Sequence, residues 1–457
     1  TECGRPGDKA SHHGSKPGES ACEQWEERLK LWDEAFAPNL YQKVGRIDLW
    51  GFTTMEHISR ERAEAEDYQP FEEGRAWGRK WEYGWFRCHI TLPEETLDRR
   101  VMLRLCVAPE MLVYVNGKEA GSIDWRHEYV QLTPAAIGGE EFEIYAEAYA
   151  GHGARLEGAG ICPREEKVLP ETPKFQCLVE ESSFGIWNEE MFQAYADYHV
   201  LYELWRALPE NSLRSIQIAQ ALKEFTFLAD FELPEPLRTE SVSFARKVLV
   251  PMLAARNGTS APVFSVFGQS HLDLAWLWTN KETKRKSART YANQVALMER
   301  YPDYRFLLCD PPILENLKNY YPDLYRRVKE FVARGNFIPD GAMWVEGDTN
   351  MAGGESLIRQ FVYGKKWFLQ EFGVDSKVAW MPDTFGYTGA LPQIMKGCRV
   401  DYFATQKLLR ADPESEPFPY NLFWWEGIDG SKVLAHLFKE NNAVFSPARM
   451  VQRWEED

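Results

Sequence analysis

Short apolar runs separated by turn residues dominate residues 81–150, and they predict strands. GWFRCHITL, VMLRLCV, MLVYVNG and FEIYAEAYA alternate partially between apolar and polar positions, the period of a half-buried strand. Asn116-Gly117, inside VYVNGKEAG, predicts a tight hairpin because both residues tolerate positive φ. A β-sandwich-like domain is therefore expected over 81–160. Upstream, Trp25, Leu29, Trp32 and Phe36 recur at helical spacing over 22–37. Residues 41–80 show no period, so 21–80 is expected to be helical and irregular. The Gly-, Ser-, Pro- and Lys-rich residues 1–20 are expected to form a disordered tail.

Residues 151–185 carry Gly and Pro, with a strand expected near Phe175–Val179. Helical spacing then takes over. Met191, Tyr195, Tyr198, Tyr202 and Trp205 define Asn188–Leu208, and Pro209 ends it. Leu213–Phe227 and Ser241–Ala255 are expected to follow, which makes 161–258 a connector with helices. His199 has no acidic partner in helical register and reads as a surface or packing residue.

From 259 to 457 strands and helices alternate. Strands are expected at Phe264–Phe267, Phe306–Cys309, Phe337–Asp340, Val378–Trp380, Val400–Ala404, Leu422–Trp425 and Val433–Leu437. Helices are expected at Arg285–Arg300, Ile313–Tyr320, Leu324–Arg334, Glu355–Phe372 and Pro392–Lys396. This alternation implies an α/β fold with a mostly parallel sheet, either a barrel or a doubly wound sheet. Both present their chemistry at the strand C-termini.

Polar residues gather at those ends. His271 and Asp273 are two apart in GQSHLDLAWLW, so in an extended segment they point the same way. Trp344, Glu346 and Asp348 lie in MWVEGDTN, Asp383 and Phe385 in WMPDTFGYTG, Gln406 and Lys407 in FATQKL, and His436 in VLAHLF. Each has a structural alternative. Asp383 could cap a turn, Glu346 and Asp348 could be solvated loop acids, and His436 could be a core-edge histidine bonded to a backbone carbonyl. Isolated acids, however, should scatter over both ends of a sheet. Imidazole and carboxylates converging from separate strands describe a zinc-type site. Trp276 and Phe385 would wall it.

Composition narrows the partners. The 457 residues carry a formal net charge of -16, which disfavours nucleic acid and anionic membranes. No apolar run is long enough for a membrane helix, and the N-terminus lacks the apolar core of a signal peptide. Eight cysteines without CxxC pairing read as free cytosolic thiols. With 17 Trp, 26 Phe and 20 Tyr, some aromatics are available as stacking surfaces for sugar rings. Trp85, Trp125 and His127 are such candidates, although packing against the next domain accounts for them more simply. Residue patterns thus reach a metal-dependent hydrolase with an aromatic rim. They leave open a glycosidase, a metal-dependent carbohydrate deacetylase and a non-catalytic carbohydrate-binding or assembly chain.

GQSHLDLAWLW, WVEGDTN, WMPDTFGYTGALPQIMKGC, FATQKL and FWWEGIDGSKVLAH, in that order, resemble the glycoside hydrolase family 38 α-mannosidases. The likeness is greatest to the cytosolic and vacuolar subgroup acting on free oligosaccharides. It runs from about residue 81 to the end and is strongest over 265–440. It implies a seven-stranded α/β barrel, incomplete at its C-terminal side, and a retaining, exo-acting α-mannosidase in the cytoplasm. It further implies that His271, Asp273 and Asp383 bind one divalent metal, zinc first and cobalt second, with Asp383 also the nucleophile. Trp276 and Phe385 would line the sugar subsite, with Trp344, Glu346, Asp348, Gln406 and Lys407 as further contacts. Gln269 stands where the family often has a histidine, a position outside the ligand set. The resemblance places a fourth ligand and the acid/base carboxyl downstream, in the remaining C-terminal part of the same protein. Residues 1–457 alone are accordingly expected to be inactive. Mannose-containing oligosaccharides are the expected substrates, and a homo-oligomer is compatible with the family.

Overall fold

Residues 41–187 are built from strands Tyr41–Arg46 (β1), Trp50–Thr54 (β2), Gln69–Pro70 (β3), Ala76–Trp77 (β4), Tyr83–Thr91 (β5), Val101–Arg104 (β6), Glu110–Val115 (β7), Lys118–Asp124 (β8), Val130–Thr133 (β9), Glu141–Tyr149 (β10), Cys177–Leu178 (β11) and Ser183–Trp187 (β12). This computed structural model describes residues 21–153, 173–256, 258, 263–410, 418–438 and 445–456. The expected disordered tail and part of the connector lie outside them.

Two sheets face each other, in the orders β3-β2-β5-β10-β7-β8 and β1-β12-β6-β9. Phe86, Cys88 and Ile90 alternate along β5 toward the shared core, where they meet Ile144, Ala146 and Leu103. Asn116 (φ 49°) and Gly117 (φ 79°) turn β7 into β8 as the sequence expects. The irregular reading of 41–80 is corrected, since this stretch contains β1–β4. Its strand signal is weak because the sheets need missing side chains there. A Cβ on Gly45 would strike the Phe184 ring, and one on Gly51 would meet Phe86 at 2.8 Å.

The outer face of the larger sheet is also buried. Trp85, Tyr114 and Tyr145 share a core with Tyr291, Val295 and Met298 of helix Asn280–Arg300. Charged groups are buried beside them. Arg285 Nε donates to Glu147 Oε1 at 2.5 Å, and its guanidinium lies 3.6 Å from the Tyr83 ring centre. Tyr83 donates to Glu282 at 3.0 Å, Arg289 pairs with Glu282, and Arg289 and Lys286 both reach Glu110. Charges so deep are tolerable only when paired.

From residue 306 onward come Phe306–Leu308 (β13), Phe337–Pro339 (β14), Val378–Trp380 (β15), Tyr402–Thr405 (β16), Leu422–Glu426 (β17) and Lys432–Leu437 (β18). β13 runs parallel to β14, β15 to β16, and β16 to β18. Parallel bridges Gly268–Phe306 and Gly341–Ala379 extend the series at both joins. β17 closes the edge antiparallel to β18. Among the described residues these strands form open sheets and close no barrel. The expected first strand, Phe264–Phe267, is corrected: only Gly268 makes a bridge, and Val263 is 91% exposed. An apolar run without a ladder partner is not a strand.

Among the described residues, 21–42, 187–256 and 445–456 form a separate, mainly helical unit. Asn188 caps Glu189–Ala207 by accepting from Met191 N at 3.0 Å, and Ser212 caps Leu213–Leu228 in the same way. Phe36, Tyr198 and Phe225 pack at its centre. The single helix expected over Ser241–Ala255 is instead Leu237–Arg246 followed by Val250–Leu253. Pro251 has no N–H to continue the ladder. The reading of His199 is corrected: it has two acidic partners, Asp33 at 2.9 Å from another helix and Glu203 at 3.6 Å, one turn on in its own helix and so in register. No helix among the described residues is long and apolar enough to cross a membrane.

Two outcomes follow. Glu147→Gln, which strands the Arg285 charge, should lower stability by about 3–5 kcal/mol in urea unfolding; replacing Glu147 and Arg285 together by apolar residues of similar size should cost clearly less. His57, lowered to about 4 by burial and then by Arg285, Lys284 and Lys281, stays neutral when folded. The unfolded chain takes up that proton near pH 6.5, so stability should fall as pH drops from about 6.5 toward 4. The fall should be shallower in His57→Gln, as read from urea midpoints at pH 7 and 5.

Candidate metal centre and active site

The parallel order sets the site. Residues just past Gly268, β13, β14, β15 and β16 lie at the same end of the strand series. They carry His271 and Asp273, Asp310, Glu346, Asp383, and Lys407 respectively. A cavity of about 270 Å³ opens there, lined by His271, Asp273, Asp310, Glu346, Asp383 and Phe385 among others.

His271, Asp273 and Asp383 each present a ligand atom within 4.8 Å of the other two. His271 Nε2 lies 3.5 Å from Asp273 Oδ1 and 3.7 Å from Asp383 Oδ2. It is buried and makes no hydrogen bond. An orphaned imidazole nitrogen between two carboxylates fits a divalent cation, with the N and O donors zinc accepts. Without one, the negative groups act on the imidazole. Burial opposes its charge, but Asp273, Glu346 and Asp310 outweigh burial and raise it to about 9. Burial also raises the carboxyls of Asp310 and Glu346, while His271 pulls both back.

Asp383 stands on the turn after β15. Tyr387 fixes that turn: its hydroxyl is 3.2 Å from the carbonyl oxygens of both Met381 and Thr384, and 2.5 Å from Thr405 Oγ1. Lys407 Nζ is 2.6 Å from Asp383 Oδ1 and 4.2 Å from the Phe385 ring centre. No helix starts at this turn, so of the capping alternative for Asp383 only the turn form remains.

The other expected residues separate by position. Phe385 is 77% exposed and lines the cavity, as do Trp344 and Asp348. Trp276 is half-exposed, packed edge-on against Trp278, and outside the lining. Gln406 is buried and also outside it. Asp348 Oδ1 caps Asn350 N at 3.0 Å. His436 bonds the Asn421 carbonyl at 3.1 Å, which is the structural alternative the sequence offered. Trp85 is core, whereas Trp125 is 77% exposed. Asp310 was not among the residues singled out from the sequence; its position directly past β13 was the available signal.

The loop carrying Glu346 is pinned from behind. Helix Gly354–Phe372 lays Gly364 so close to the backbone of Ala342–Trp344 that a Cβ would strike it. Gly364→Ala should push that loop outward, lowering stability by about 1–3 kcal/mol and weakening zinc binding without touching a ligand. Thermal unfolding and zinc titration would read both.

Residues 262–456 match the glycosyl hydrolases family 38 N-terminal domain, and residues 43–169 an alpha-mannosidase jelly roll domain. The chain is 33% identical over 394 residues to mouse alpha-mannosidase 2C1, covering 85% of this chain and 37% of that protein. It is 32% identical over 391 residues to an alpha-mannosidase of Saccharomyces cerevisiae, covering 82% and 34%. The chain thus spans a little over a third of the length of these relatives. Among solved structures, an alpha-mannosidase from Enterococcus faecalis aligns with a TM-score of 0.35 at 22% identity, over 42% of this chain and 22% of that one.

Proposed function

Since the chain belongs to glycoside hydrolase family 38, with that family's N-terminal domain behind an α-mannosidase jelly roll domain, we propose that the protein is a retaining, exo-acting α-mannosidase. Its substrates would be mannose-containing oligosaccharides with terminal α-linked mannose. The observation that carries this reading is the convergence of His271, Asp273 and Asp383 on one point.

A zinc or cobalt ion held by these three residues would supply a Lewis-acid anchor for sugar hydroxyls and a charge that keeps Asp383 ionised. Asp383 attacks the anomeric carbon and forms a covalent glycosyl ester. A second carboxyl about 5–5.5 Å away first protonates the leaving oxygen and then activates water. Lys407 holds Oδ1 of Asp383 while Oδ2 faces the metal point, so the lysine would orient Oδ1 and release it for attack. Because partial neutralisation dampens a nucleophile, orientation supplies much of the rate. Phe385 offers an exposed ring to the sugar at the cavity mouth, with Trp344 and Asp348 on its wall. Trp276 and Gln406, outside the lining, would contribute only to longer substrates or through Lys407.

The parallel series from Gly268 to β18 is consistent with the start of a seven-stranded barrel. The acidic net charge and free thiols of Cys88, Cys106, Cys177, Cys309 and Cys398 are consistent with a cytoplasmic enzyme that binds neither nucleic acid nor membranes.

The full-length protein should hydrolyse p-nitrophenyl α-mannoside, lose that activity to a chelator, and regain it with zinc or cobalt. Asp383→Asn should lower kcat at least about 10³-fold. Release of acetate from an N-acetylated sugar, with no cleavage of the mannoside, would instead mark a deacetylase.

A further inference from the structure

Glu346 spends its carboxylate on the protein. Oε1 accepts from Asp383 N at 2.7 Å, Thr384 N at 2.6 Å and Thr384 Oγ1 at 2.8 Å. Oε2 faces His271 Nδ1 at 3.5 Å. One side chain therefore contacts two of the three converging residues, on segments more than a hundred positions apart. The rest of its loop follows suit. Thr349 donates to the Gly386 carbonyl at 2.9 Å and accepts from Thr388 N at 3.0 Å. Asn350 sits where a Cβ on Gly386 would be. WVEGDTN is a cradle for the turn that carries Asp383.

We propose that Glu346 is a positioning residue rather than a substrate contact. It locks the backbone of Asp383 and holds the Nδ1–H side of His271, which leaves Nε2 as the free donor toward the cation. The inference rests on the metal reading above. Its physical basis is the number of acceptors. Three donors of the 383–384 turn and one of His271 surround a single side chain, and only a carboxylate offers an acceptor oxygen to each group. A glutamine has one. It can serve the turn or His271, and its NH₂ then faces a donor on the other side. Carboxylates behind metal-bound imidazoles fix ring orientation in this way, and losing them weakens metal binding by about 10–100-fold.

The test is zinc titration of the full-length protein, paired with proton NMR of its cobalt-loaded form, where the exchangeable Nδ1–H of a bound histidine is shifted away from other signals. Wild type should bind one ion and show that proton, and His271→Ala should lose both. Glu346→Gln should bind zinc about 10–100-fold more weakly and lose the Nδ1–H signal by fast exchange, a change that altered stability alone would not produce. Thr384→Val, which removes one hydroxyl donor and leaves all three ligands, should weaken binding at least threefold; it serves as the measurement if Glu346→Gln fails to fold. If wild type binds no ion, or His271→Ala binds as wild type does, the metal reading fails and this proposal with it. If those controls hold and Glu346→Gln, or Thr384→Val in its place, binds within twofold of wild type, the positioning role alone is overturned.

Discussion

Two ionised carboxylates this close together repel each other unless a positive charge or a proton lies between them. Asp273 and Asp383 present oxygens within 4.8 Å, where their repulsion is about 3–4 kcal/mol at an effective dielectric of 20. Asp310 and Glu346 add further negative charge behind them. In the metal-free chain, His271 and Lys407 carry the compensation, which is why the imidazole is raised to about 9. A divalent cation would replace the imidazole proton with a double charge at the orphaned nitrogen, with Lys407 remaining on Asp383. The site is arranged around that point.

The surrounding fold keeps the acids from relaxing apart. Parallel strands bring five chain segments to one end, and each segment is then fixed by a different device. The Asp383 turn is held by Tyr387 and by the cradle of residues 346–350. The cradle is pressed by helix Gly354–Phe372 through a glycine. Helix Asn280–Arg300, which follows the His271 segment, is tied to the β-sandwich by the buried Arg285–Glu147 pair and by the Arg289–Glu110 and Tyr83–Glu282 contacts. Such pairs add little net stability, but breaking one by removing a single partner leaves a buried charge uncompensated.

Much of this was legible in residue order. β13–β18 and the helices among them lie where alternation placed them, because buried βα units advertise themselves as apolar runs bounded by turns. The Asn116-Gly117 hairpin was legible for a local reason, since only such residues take its φ angles. The misreadings share a cause in tertiary context. Residues 41–80 look irregular because Gly45 and Gly51 are demanded by facing rings. Phe264–Phe267 looks like a strand because sequence records apolarity but not the presence of a partner. His199 finds Asp33 across helices, where helical register cannot reach, although Glu203 four residues on was within that register. The ligand candidates could be named from spacing and resemblance. Glu346 could be seen as an acid at the rim, but its direction of bonding could not be read, because that depends on a turn 37 residues away.

Crystals grown with zinc and measured on both sides of the zinc absorption edge give the most direct test of the account. It predicts a single strong anomalous peak bonded to His271 Nε2 and to one oxygen each of Asp273 and Asp383, at about 2.0–2.2 Å. A peak held by other residues, or a fully zinc-loaded crystal with none at this point, would contradict it.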